Sequence, residues 1–168
     1  GDNVLLDITT FNICETIVQT VNTLEGTAAK KEISFVLDYN TQKELLVEAD
    51  ESKIHQVLYN LIDNAVKFSH NNSEIKISLR KKGAKVFVSV KDSGIGIPKE
   101  SLNKVFDRFY KTDISRGKDK RGTGLGLSIS KEIIQAHNQT INVVSTVDVG
   151  TEFVFTLKYH SKKQEASS

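Results

Sequence analysis

Apolar residues recur along the chain in two rhythms, and the change from one to the other marks out the elements. Near the N-terminus Cys14, Ile17, Val18 and Val21 fall at i, i+3, i+4 and i+7, the spacing of one helix face. That predicts a first helix over about Phe11–Ala28. Two extended stretches follow, Ile33–Tyr39 and Leu45–Ala49. Asp50 then stands where an N-cap belongs, ahead of a helical pattern running to about Phe68. Its core stripe is Ile54, Val57, Leu58, Leu61, Ile62, Ala65 and Val66.

The rhythm then switches to period two. Ile75, Ile77 and Leu79, and after them Val86, Val88 and Val90, alternate with polar residues on either side of Lys81-Lys82-Gly83-Ala84-Lys85, a hairpin signature. Glycines punctuate Asp92–Pro98, and a short helical stretch reaches about Asp107. A third helix is expected to open at Gly122, with Leu125, Ile129, Ile133 and Ala136 along one face. Strands over about Thr140–Val147 and Thr151–Lys158, joined at Asp148-Val149-Gly150, close the pattern. Strands with one buried face and three amphipathic helices to cover it make an α+β fold, a two-layer α/β sandwich. Residues 1–160 read as one domain and the polar end, 161–168, as a disordered tail.

At 168 residues, with 38% apolar and 26% charged, the chain has the make-up of one globular core and not of a disordered segment. No apolar run approaches the roughly 18 residues of a membrane span. The lone cysteine, Cys14, excludes an internal disulfide and a cysteine zinc site. It fits a reducing compartment and reads as a small buried apolar residue. The net charge is only +2, yet Asp107–Gly122 holds Arg108, Lys111, Arg116, Lys118, Lys120 and Arg121 against Asp107, Asp113 and Asp119. That segment carries net +3 and the remainder −1. One cationic loop on a near-neutral chain argues against a nucleic-acid surface and leaves two readings, a solvated loop or one that meets an anion.

Candidate chemistry lies on helix two and in the glycine segments. Asn60, Asn64 and Lys67 stand at i, i+4 and i+7, on one flank of the helix and off its apolar stripe. Two asparagines one turn apart are poor helix formers, so the flank is either a solvent face or one with a use. A side-chain amide oxygen is a neutral hard ligand suited to Mg²⁺ shared with substrate phosphates. Gly122-Thr123-Gly124-Leu125-Gly126-Leu127 puts three glycines at a helix start, where free N–H groups and the helix dipole attract phosphate. The other reading is a flexible loop needing positive φ. The segment is not a Walker loop, since Thr123-Gly124 stand where the lysine and hydroxyl residue belong, and not a dinucleotide fingerprint, since position 127 is not glycine. Asp92, ahead of Ser93-Gly94-Ile95-Gly96, can accept from a ligand's exocyclic amine or close an Asx-turn.

Together these segments resemble one family. Asn60-Leu61-Ile62-Asp63-Asn64-Ala65-Val66-Lys67-Phe68-Ser69 is similar to the N box of the sensor histidine kinases, and Asp92-Ser93-Gly94-Ile95-Gly96-Ile97-Pro98 to their G1 box. Phe106-Asp107-Arg108-Phe109-Tyr110 resembles their F box and Gly122-Thr123-Gly124-Leu125-Gly126-Leu127 their G2 box. The resemblance covers about Phe11–Leu157. It implies the catalytic, ATP-binding domain of a two-component sensor kinase, in the superfamily shared with DNA gyrase, the heat-shock chaperone ATPases and the mismatch-repair ATPases. It also implies their Bergerat-type fold, with a mixed, mostly antiparallel sheet covered on one face by three helices, and the cofactors ATP and Mg²⁺.

Residue by residue, the resemblance assigns Asn64 to Mg²⁺ and Asn60 to the phosphate and metal surroundings, with Lys67 neutralising phosphate charge. Phe68 would wall the adenine, Asp92 would accept from its amine, and Gly94 and Gly96 would shape that pocket. Tyr110, Gly122, Thr123, Gly124, Leu125 and Gly126 would line the nucleotide, while Arg108, Lys111 and the loop to Arg121 would cover the γ-phosphate. Asn60, Lys67, Arg108 and Lys111 are the catalytic candidates, because phosphoryl transfer depends mainly on positioning and charge neutralisation.

Gyrase-like hydrolases carry a water-activating glutamate at the position of Asn60, and an amide cannot act as a base near neutral pH. That disfavours a gyrase- or chaperone-type ATPase; a transfer-inactive nucleotide-binding regulatory module is the other alternative. The family's phosphorylated histidine precedes Glu or Asp in an upstream dimerisation domain, whereas His55, His70, His137 and His160 precede Gln56, Asn71, Asn138 and Ser161. The acceptor is therefore expected on a separate dimerisation domain, with the response regulator an indirect partner, no nucleic acid, and the isolated chain a monomer. A cytoplasmic setting is implied, with a parent protein that the inner membrane can anchor. One departure is His137-Asn138-Gln139 where the family often has His-Gly-Gly, which bears on the local turn and not on the nucleotide site.

Overall fold

A computed structural model describes residues 5–39, 43–107 and 126–161. Within them the elements run β1 (Thr9–Asn12), α1 (Ile13–Ala29), β2 (Ser34–Asp38), β3 (Leu46–Ala49), α2 (Glu51–Phe68), β4 (Glu74–Lys82) and β5 (Lys85–Asp92). A 3-10 helix over Lys99–Lys104 follows, then α3 (Gly126–Ala136), β6 (Ile141–Thr146) and β7 (Gly150–Tyr159). The sheet order is β1-β3-β7-β5-β4-β2, with β6 also on β7. Every pairing is antiparallel except β2 with β4, so the sheet is mixed and mostly antiparallel as expected.

The period-two residues build the centre. Leu79, Val88 and Phe155 stand opposite one another on β4, β5 and β7, each no more than 1% exposed, and a fully buried side chain of this kind contributes about 1.5–3 kcal/mol. The hairpin between β4 and β5 turns on Gly83-Ala84, with Gly83 at φ +63°, as a two-residue loop with glycine first requires. The predicted α2 stripe is buried throughout, and α2 packs against both α1 and α3. Cys14 is buried, and that burial pushes its thiol up from the ordinary range.

Three expectations need correcting. Phe11 and Asn12 belong to β1 and not to the first helix, because the Asn12 carboxamide accepts from Cys14 N at 3.1 Å and caps α1 there. Val18 is 40% exposed; the buried flank of α1 instead runs through Thr16, Ile17 and Thr20. On α3 the buried residues are Ser128, Ser130, Ile133 and Ile134, so the stripe is rotated from Ile129 and Ala136; Leu125 and the expected start at Gly122 lie outside the described residues. The short helical stretch expected before Asp107 is present, as the 3-10 helix over Lys99–Lys104. The tail expected at 161–168 lies, apart from Ser161, outside the described residues.

Side chains close the helix ends. Asp50 Oδ1 accepts from Lys53 N at 3.2 Å, the N-cap of α2. At the other end Lys31 Nζ donates to Val66 O at 2.8 Å and Lys67 O at 3.1 Å, placing a cation on the negative end of the dipole. After α3, Asn138 adopts φ +58°, with Asn138 N donating to Gln135 O and Gln139 N to Ile134 O. This is a Schellman closure with asparagine in the left-handed slot, so the missing glycines leave the turn intact.

Candidate active site

Helix α2 is the wall on which the site is assembled. Asn60 is half-buried where α2 meets the first turn of α3: its Nδ2 donates to Gly126 O at 3.2 Å and to Ser130 Oγ at 3.4 Å. A Cβ on Gly126 would lie 3.6 Å from Asn60 Cγ, an ordinary contact, so the interaction uses the Gly126 carbonyl and not its lack of a side chain. One turn along, Asn64 is half-buried, and no hydrogen bond among the described residues engages its amide. Lys67 is exposed, and its ammonium lies 3.0 Å from Asp63 on the same helix. The cation expected at the phosphates thus has a carboxylate partner on α2 itself.

At the far end of α2 the loop after β5 is laid against the helix. Asp92 is 7% exposed, and its Oδ1 accepts from Gly94 N at 2.9 Å and from Thr151 N at 3.2 Å. The first bond is the Asx-turn; the second ties the carboxylate to β7. No hydrogen bond among the described residues engages Oδ2, so the turn and an acceptor role are compatible. Burial pushes the Asp92 carboxyl up from its ordinary value, while the two N–H donors and the field of His70 pull it down. A Cβ on Gly94 would lie 2.1 Å from Phe68 O, the carbonyl to which Ile95 N donates at 3.1 Å. Gly96 has φ +74°, and a Cβ there would lie 2.3 Å from Thr146 O. Both glycines are therefore required by close backbone approach, one to α2 and one to the β6–β7 turn.

Phe68 is half-buried beside this loop. Of the other expected residues, Arg108, Tyr110, Lys111, Gly122, Thr123, Gly124 and Leu125 lie outside the described residues. Phe106, at the start of the F box, meets Phe153 of β7 edge-on at 6.0 Å between ring centroids, and Lys131 Nζ of α3 lies 5.3 Å from its ring. Sequence reasoning missed Thr151, which braces Asp92, Ser145, whose Oγ accepts from Ile97 N at 2.7 Å, and Ser130. None sits in a motif, and each reaches the site from another element, so spacing carried no signal for them.

Comparison with known proteins bears on this geometry. A family described as histidine kinase-, DNA gyrase B- and HSP90-like ATPase matches residues 49–161. The chain belongs to this family. The sensor histidine kinase WalK of Bacillus subtilis is 44% identical over 125 residues, 73% of this chain and 20% of that protein. The sensor protein kinase WalK of Staphylococcus saprophyticus is 37% identical over 159 residues, 94% of this chain and 25% of that protein. The nucleotide-free catalytic domain of histidine kinase ThkA superposes with a TM-score of 0.79 at 35% identity, covering 91% of this chain and 96% of that one. ThkA in complex with the response regulator TrrA gives 0.78 at 33% identity, covering 96% and 45%. The chain is thus a histidine-kinase-type ATP-binding catalytic domain, and it spans about a fifth to a quarter of the curated relatives it matches.

In this kinase-type domain Asn60 joins α2 to α3 and Phe68 joins it to the Asp92 loop, with Asn64 midway. Phe68 stands eight positions after Asn60 on the helix, about 12 Å along the axis. No helix among the described residues is long and apolar enough to cross a membrane.

Proposed function

We propose that this chain binds Mg-ATP and delivers the γ-phosphoryl group to a histidine on a separate dimerisation domain, as the catalytic part of a two-component sensor histidine kinase. The observation that carries the reading is the divided carboxylate of Asp92. One oxygen is occupied by two backbone donors, and the other faces no donor in the described fold. A buried acceptor in that state fits the exocyclic amine of adenine, with Phe68 beside it and Gly94 and Gly96 letting the backbone lie close.

The half-buried, uncommitted Asn64 amide is the fit for Mg²⁺, because a neutral hard oxygen can share the ion with phosphate oxygens. When bound, the metal supplies charge neutralisation on the transferring group. Asn60, on α2 and tied to α3, orients the phosphate end of the site, and Lys67 adds positive charge once it exchanges Asp63 for phosphate. By the resemblance already described, Gly122, Thr123, Gly124, Leu125 and Gly126 would line the phosphates, and Tyr110, Arg108 and Lys111 would join them. An amide at position 60 cannot itself activate water, whereas a histidine acceptor brings its own nucleophile, which favours transfer over hydrolysis.

Residues 1–160 act in this reading as one nucleotide-binding unit in the cytoplasm, within a parent kinase that the membrane can anchor. The ThkA complex with TrrA supports a response regulator as the downstream partner. Incubation with γ-labelled ATP and a separately supplied acceptor domain tests the proposal. Label is expected on the acceptor histidine; phosphate release without transfer, or nucleotide binding with neither, refutes it.

A further inference from the structure

We infer that Ser130 is a positioning residue for the nucleotide site, holding the Asn60 amide with its oxygen turned away from α3; this rests on the nucleotide reading above. Ser130 is 0% exposed, on the buried side of α3 with Ile133 and Ile134, where an apolar side chain would pack without the cost of desolvating a hydroxyl. Its single proton goes to Gly126 O at 2.9 Å, one turn back along the helix. The lone pairs of the same oxygen then receive Asn60 Nδ2 at 3.4 Å, while Gly126 O receives that nitrogen at 3.2 Å.

Toward the amide, both partners are acceptors. Turned over, Asn60 would set its own oxygen 3.2 Å from a carbonyl oxygen that has no proton to give. The nitrogen is therefore committed to α3, and Oδ1 is the acceptor that remains for metal-bound water or ligand. Ser130 acts twice in this arrangement: it anchors the Gly126 carbonyl, and beside that carbonyl it gives the amide nitrogen a second acceptor. Nothing else on α3 between Gly126 and Ala136 hydrogen-bonds to Asn60 among the described residues.

The test is calorimetric titration of the 168-residue chain with a non-hydrolysable ATP analogue, with and without Mg²⁺, on four proteins: unmodified, Ser130→Ala, Asn60→Ala and the double variant. Loss of one neutral hydrogen bond predicts about 3- to 10-fold weaker binding of the Mg²⁺ complex by Ser130→Ala, and a change below about 2-fold without the metal. In the Asn60→Ala background the further effect of Ser130→Ala is expected to vanish, and Ser130→Thr, which keeps the hydroxyl, is expected to restore the Mg²⁺ preference. Equal weakening with and without Mg²⁺, or the same loss when Asn60 is already alanine, reduces Ser130 to packing and overturns the inference. If Ser130→Ala does not fold, Ser130→Cys keeps the volume and weakens the hydrogen bond, and the same comparison applies. An unmodified chain that binds no analogue removes the nucleotide reading itself, whereas normal binding with Ser130→Ala unchanged removes only the role of Ser130.

Discussion

Asp92→Asn should raise the stability of the domain while nearly abolishing its nucleotide binding. Asparagine keeps an oxygen where Oδ1 accepts from Gly94 N and Thr151 N at 2.9 and 3.2 Å, so the loop keeps its shape. It replaces Oδ2 by an NH₂ group, which would face the amine donor of adenine. Losing a hydrogen bond to a charged acceptor and setting two donors against each other in a buried site costs about 2–4 kcal/mol, or about 30- to 1000-fold in affinity. Stability moves the other way. Burial is the largest influence on this carboxyl and pushes it up, so the folded chain holds its proton to higher pH than the unfolded chain does. Between the unfolded and the raised folded value, stability falls as pH rises. The ionised wild type therefore bears a cost at neutral pH that the neutral amide avoids. Calorimetry with an ATP analogue and thermal melts from neutral to acid pH check both halves. The melting advantage of Asp92→Asn should be largest at neutral pH and shrink as the pH falls through the raised folded value. Unchanged affinity in a well-folded variant would refute the acceptor role, and an advantage that grows on acidification would refute the electrostatic account.

Two further substitutions probe the backbone. Gly94→Ala places a Cβ 2.1 Å from Phe68 O, so the loop must leave the end of α2. A loss of at least about 2 kcal/mol in urea unfolding is expected, within the range of overpacking, together with loss of nucleotide binding; a neutral result would mean that the loop is not tightly seated. Glu32 closes α1 at φ +54°, with Ile33 N donating to Ala28 O. Glu32→Gly should therefore stabilise the fold by about 0.5–1 kcal/mol, measured by the same unfolding, and a loss of stability would count against strain at that position.

Most of the frame was legible because its rules are local. The α2 stripe, the Asp50 cap and the hairpin at Gly83-Ala84 follow from periods of 3.6 and 2 and from turn chemistry, all readable within a few residues. β1 was not legible: four residues beginning with two exposed threonines make a strand only because Ala49 and its neighbours on β3 lie alongside. The buried side of α3 was misread for a similar reason. Leu, Ile and Ser alternate there so closely that the contact with α2, and not hydrophobicity, decides that Ser130 points inward.

At the site the division is sharper. The amides of α2, the carboxylate after β5 and the glycine segments could each be named from the chain, because those chemistries come as short motifs. Only the tertiary structure decided that Asp92 uses one oxygen to bind its own loop and β7 and keeps the other back, and that Asn60 reaches across to the Gly126 carbonyl. Residue types determine which hydrogen bonds a group can make. Which ones it does make depends on neighbours brought in from dozens of residues away, and those neighbours leave no pattern in the linear order.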